Sequence, residues 1–203
     1  IYQVDRARDG GSFTTRRVVA IQHGKQILNM SASFHVDEPG RHHQHPMPQV
    51  SGPENWPDRN KLRADELDRV PEHRRADFMR PRPIELHDVE PRDMFEPEIV
   101  SDENHSWFRM AAAKGSSPQM QHCMLAYASH GLTWMNGKVM TASLDHAMWF
   151  HAPVQFENWH LYTMDSPWTG GARGFNRGSI YDQSGVLVAS TAQEGLIREI
   201  TPR

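Results

Sequence analysis

The stretch Ala142-Ser143-Leu144-Asp145-His146-Ala147-Met148-Trp149-Phe150-His151 decides the fold of this chain. Its residue types predict a strand over 141–150. Asp145 lies two residues from Ser143, so the two share a face of that strand. Asp145 is expected to be structural, and His146, beside Trp149, a hydrogen-bonded core histidine. Outward from this segment, strands are expected over 84–89, 106–113, 122–128, 159–165, 172–181 and 186–200. Gly170-Gly171 and Ser184-Gly185 supply turns between the last three.

The amino-terminal residues repeat part of that pattern. Residues 1–36 read as strands broken at Arg8-Asp9-Gly10-Gly11 and at His23-Gly24-Lys25. At a constant offset of 160, Gly10-Gly11 recurs as Gly170-Gly171, Arg17 as Arg177, Ile21 as Tyr181, Ile27-Leu28 as Leu187-Val188 and Ser31-Ala32 as Thr191-Ala192. This is the mark of a duplicated hairpin. Between the two regions, residues 37–60 are rich in Pro and His, and 61–79 in helix formers interrupted by Pro71. The run His42-His43-Gln44-His45 invites a metal reading. It sits in a Pro-rich segment without a nearby cysteine, which favours a solvated loop and no metal. The expected organisation is therefore a β region over 1–36, a linker with a polar helix over 37–80 and a second β region over 81–203.

Composition narrows the class. The chain has 203 residues, 37% hydrophobic and 23% charged, with a net charge of -3. Such a balance supports a packed core and argues against a nucleic-acid partner. No apolar run reaches the roughly 20 residues of a membrane span. A single cysteine, Cys123, excludes an internal disulfide framework and fits a reducing cytoplasm. Its apolar neighbours place it in the core by this reading. The chain opens on Ile1-Tyr2-Gln3-Val4, which reads like mid-strand, so a preceding segment is expected.

Several ordered segments carry a resemblance. They are the 142–151 stretch, Trp159-His160-Leu161-Tyr162, Gly171-Ala172-Arg173-Gly174, and Val188-Ala189-Ser190-Thr191-Ala192-Gln193-Glu194-Gly195-Leu196-Ile197-Arg198. Together they are similar to the carboxyl-terminal half of the acyl-CoA thioesterase II family. Arg8-Asp9-Gly10-Gly11-Ser12-Phe13, with Ser31-Ala32-Ser33-Phe34, resembles the end of that family's first domain. The resemblance implies an α+β double hotdog: two tandem curved antiparallel sheets, each wrapping a central helix. Residues 1–36 would close the first hotdog and 81–203 form the second. On this reading both central helices are absent from the sequence. The family spacing places one directly after Ser129, where His130 follows, and implies a missing segment of roughly eleven residues, about 16 Å of helix.

The resemblance also implies chemistry. The family hydrolyses acyl-CoA by an activated water held by an Asp at the start of the second central helix, a hydroxyl residue and a Gln. Carried over, the hydroxyl is Ser143 and the amide Gln193. The partner Asp is expected in the segment missing between Ser129 and His130. Arg173 is a candidate for the CoA phosphates. No cofactor is implied, and the implied assembly is a homo-oligomer of double hotdogs. Two alternatives stand beside hydrolysis: a non-catalytic acyl-CoA binder, and an enoyl-thioester hydratase on the same fold. The hydratase needs an Asp–His pair on a helix segment over the site, which the sequence does not display.

Overall fold

The computed structural model describes residues 1–93, 95, 103–129 and 139–199. The chain divides into two compact units, Ile1–His43 and Gln44–Arg203.

The first unit is a three-stranded antiparallel sheet in the order β1-β2-β3, with β1 Tyr2–Asp9, β2 Phe13–Gln22 and β3 Lys25–His35. His23 (φ 49°) and Gly24 (φ 74°) form the two-residue loop between paired Gln22 and Lys25. Two successive positive φ values match the twist of a tight hairpin. A bulge interrupts the β1–β2 register between Asp5 and Arg8.

The second unit is built on a seven-stranded sheet. Its strands are β4 Glu85–Asp88, β5 Glu103–Arg109, β6 Val139–Ser143, β7 Ala147–Phe150, β8 His160–Gly170, β9 Arg173–Asp182 and β10 Leu187–Glu199. The order is β4-β5-β8-β9-β10-β6, and β7 also pairs with β10. Short helices α1 (Arg59–Asp65) and α2 (Glu72–Phe78) lie on either side of Pro71. The segment before them is tied to the sheet. Gln44 bonds the Gly185 carbonyl and the Leu187 N–H, Trp107 Nε1 donates to Ser51 O, and His87 Nδ1 meets Pro53 O.

One expectation fails plainly. Residues 122–128 are not a strand but the greater part of α3 (Pro118–Ser129). Ser117 starts it: its Oγ accepts the Met120 N–H at 3.3 Å, and Pro118 follows at the first helical position. Gln121, Leu125 and Ala128 are buried at the spacing of one helical face. Leu125 joins Phe108, Phe156, Tyr162, Ile180, Val188 and Ala189 in the core. The second unit thus has a helix packed on its sheet, contrary to the expectation that both central helices are absent. Helical geometry also corrects Cys123, which faces outward and is exposed. Ser129 is followed directly by His130 in the sequence, at the place where a segment carrying the partner Asp is expected. The geometry of that junction lies outside the described residues. The strand expected over 141–150 is two strands, β6 and β7, separated at 144–146. The stretch expected as strand to residue 113 instead ends in a 3₁₀ turn at Ala111–Ala113.

Candidate functional site

The break between β6 and β7 builds the site. Ser143 is the last residue of β6 and pairs with Gly195. The chain then turns over Glu194. Leu144 and Asp145 donate their N–H groups to the Glu194 carbonyl at 3.0 and 3.4 Å, and Asp145 Oδ1 accepts the Glu194 N–H at 2.8 Å. Asp145 is thereby a backbone clamp. This tight crossing sets Ser143 against the next residue of β10, and Gln193 Nε2 donates to Ser143 Oγ at 2.7 Å. With its nitrogen so used, the Gln193 carbonyl oxygen is left as an acceptor.

Gln193 also lines a cavity of about 30 Å³ together with Ser129, Tyr162, Met164, Asn176, Arg177 and Thr191. That is room for one or two waters. Ser129, at the end of α3, is buried, and its Oγ lies 3.1 Å from Ala126 O and 3.2 Å from His146 Nε2. His146 thus bonds the helix rather than sitting apart from the site. Opposite, Tyr162 Oη and Thr191 Oγ1 are 2.8 Å apart, and burial pushes the Tyr162 hydroxyl above its ordinary pKa. The close approach depends on Gly178. A Cβ there would stand 2.3 Å from the Tyr162 ring and 2.6 Å from Thr191 Oγ1. Arg177 is held by Asp165, its Nε 3.0 Å from Oδ1.

Of the residues expected from the sequence, Ser143 and Gln193 meet. Arg173 is elsewhere: it pairs with Glu194 Oε1 at 3.1 Å, its guanidinium 5.7 Å from the Trp168 ring centroid, and it does not line the cavity. No carboxylate lines the cavity among the described residues. Sequence reading missed Ser129, Tyr162, Asn176 and Thr191 as lining residues. The alternation of β9 and β10 could have found Asn176 and Thr191, since they share the face of Gln193. The described residues hold no group of three His, Cys, Asp or Glu placed to bind a metal. No described helix is long and apolar enough to cross a membrane.

The acyl-CoA thioesterase family model matches residues 74–196. The chain is 34% identical to the acyl-CoA thioesterase 2 of Haemophilus influenzae, covering 98% of this chain and 73% of that protein. It is 37% identical to human acyl-coenzyme A thioesterase 8, over 98% of this chain and 67% of that one. The Haemophilus alignment spans 209 positions against a chain of 203, so that relative carries residues with no counterpart here. Among solved structures, acyl-CoA thioesterase II TesB2 of Mycobacterium marinum superposes with a TM-score of 0.76 at 35% identity, covering 98% of this chain and 74% of that one. A hot dog protein of unknown function from Alicyclobacillus acidocaldarius, 16% identical, shares the fold with a TM-score of 0.72, over 100% of this chain and 73% of its own. The fold is the α+β double hotdog, and the chain belongs to the acyl-CoA thioesterase family.

Proposed function

We propose that the chain hydrolyses acyl-CoA thioesters to fatty acid and CoA, using a water held by Ser143 and Gln193. The observation that carries this reading is the 2.7 Å bond between Gln193 Nε2 and Ser143 Oγ at the edge of a water-sized cavity. A donor fixed on the serine leaves Gln193 Oε1 to accept one water proton, which aims the water's lone pair at the thioester carbon. The water oxygen bonds to that carbon while the carbonyl pair moves onto oxygen. The water's proton leaves through Ser129 to His146, 3.2 Å away. The carbonyl then re-forms, the C–S bond breaks, and the thiolate takes the proton.

The same reading assigns the remaining parts. Residues 1–36 are the closing strands of a first hotdog domain and 81–203 the second, with 37–80 connecting them. Arg173, paired with Glu194 away from the cavity, is still assigned to the CoA phosphates on the family resemblance alone. The sheets' open edges support a homodimer, the single Cys123 fits the cytoplasm, and the acyl-CoA substrate places the reaction in fatty-acid metabolism. Light scattering that gives only the monomer mass contradicts the dimer.

The test is free-thiol release from octanoyl-CoA and palmitoyl-CoA. Release matched by free fatty acid is expected. Binding of either compound without release would favour the non-catalytic binder. Hydration of an enoyl-CoA without hydrolysis would favour the hydratase.

A further inference from the structure

Asn176 on β9 stands directly across from Gln193 on β10. Directly opposed residues carry their Cβ atoms about 5 Å apart on one face of the sheet. Both line the cavity. The other polar groups of that lining are engaged. Gln193 holds Ser143, Ser129 holds Ala126 O and His146, Tyr162 holds Thr191, and Arg177 grips Asp165 through Nε and Nη2. The Asn176 carboxamide makes no hydrogen bond to another described residue. A half-buried amide without a partner among the described residues, at a cavity wall, has two N–H groups to offer a ligand.

The water assigned above gives that amide a task. A water on Gln193 attacks a carbon about 3 Å away, and the carbonyl oxygen lies one bond further on. A donor one strand over, level with Gln193, reaches such an oxygen. The counterpart position in the first sheet makes the contrast clear. There Arg16, opposite Ala32, is drawn to Asp9 and to the carbonyls of Arg8 and Thr15. That position has a donor but no neighbouring glutamine to hold a water.

Resting on the hydrolytic reading, we propose that Asn176 is a further catalytic residue, donating from Nδ2 to the thioester carbonyl oxygen. As water adds, negative charge gathers on that oxygen, and the bond to Asn176 strengthens. When the carbonyl re-forms and C–S breaks, the charge passes to sulfur and the bond relaxes. Asn176 neither gains nor loses a proton. An interaction stronger in the transition state than in the bound substrate acts on kcat more than on KM.

The experiment measures kcat and KM for octanoyl-CoA hydrolysis by the full chain and by its Asn176→Ala and Asn176→Asp variants. Aspartate keeps the size of the side chain and removes the donor, so the test does not depend on the smaller residue folding well. Loss of one oxyanion donor lowers kcat on the order of 100-fold, with KM changed less than about threefold. The Asp variant should lose at least as much, because its charge opposes the oxyanion. An unmodified kcat in either variant, or a loss confined to KM, overturns the proposal while leaving hydrolysis in place. An unmodified chain that releases no thiol defeats the hydrolytic reading and this one with it.

Discussion

The strand triplets β1–β3 and β8–β10 share one backbone plan and differ in what they can do with it. Asp5 faces Arg17 across β1–β2 as Asp165 faces Arg177 across β8–β9, and the bulge that follows each pair falls at the same place. The offset is 160 through these strands. It becomes 161 in the last one, because the two-residue loop after β2 is matched by three residues, Gln183 to Gly185, after β9. The equivalent of Gln193 is therefore Ala32, and that of Thr191 is Met30. Facing them, Val18 replaces Gly178, and Arg16 replaces Asn176. The apolar Tyr2, Val4, Leu28 and Met30 of the first triplet are exposed. Their counterparts lie around the α3-covered core and the cavity. The two triplets share the sheet, since ladder register depends little on which side chains are present. They do not share the site, which depends on a few of those side chains.

The largest effect expected concerns the proton path from Ser129 to His146, which ties α3 to the break beside the second triplet. His146→Gln keeps a hydrogen-bonding group near Ser129 and removes the base. Hydrolysis should fall by about 10²–10⁴-fold at neutral pH. A rate within twofold of the unmodified protein would assign the proton to another group.

A smaller effect should follow from writing the first triplet's residue into the second. Gly178→Val places a branched side chain where Tyr162 and Thr191 already meet. Overpacking of this kind costs about 1–3 kcal/mol, read from urea unfolding. An unchanged midpoint would show that the Tyr162 ring moves aside without strain. The reverse change, Val18→Gly, removes side-chain packing from a strand in the open sheet and should cost about 0.5–1 kcal/mol.

The smallest effect is a pH dependence. His160 is buried at the start of β8 between Phe108 and Phe156. Burial lowers its pKa below the ordinary 6.5, against weaker raising influences from Asn158, Asp182 and Glu157. The unfolded chain then takes up a proton near pH 6.5 that the folded chain refuses. Stability present above that pH is lost as pH falls through it. His160→Phe should flatten the decline in Tm on acidification. An equal decline in both proteins would place the titration elsewhere.

Most of the sheet was legible in the sequence because turns and alternation are local signals. Gly10-Gly11, His23-Gly24, Gly170-Gly171 and Ser184-Gly185 bound strands as expected. The helix was not legible as read. The window 122–128 is apolar and short, and periodicity alone does not separate a buried helix from a strand there. The deciding signal, Ser117-Pro118, sits just upstream. Ser143 and Gln193 were found through resemblance, and the break at 144–146 that brings them together was not. That break depends on Asp145 clamping Glu194, a contact 49 residues apart in sequence. Asn176 escaped because its meaning comes only from its register opposite Gln193.

The central claim is that Ser143 on β6 and Gln193 on β10 act as one unit, holding the attacking water. The most direct measurement is kcat for acyl-CoA hydrolysis by the unmodified chain, Ser143→Ala, Gln193→Ala and the double variant. Each single change should lower kcat on the order of ten- to a thousand-fold, with KM less affected. The double variant should be hardly slower than the worse single, because either change alone already releases the water. A Gln193→Ala protein that hydrolyses acyl-CoA at the unmodified rate would contradict the account.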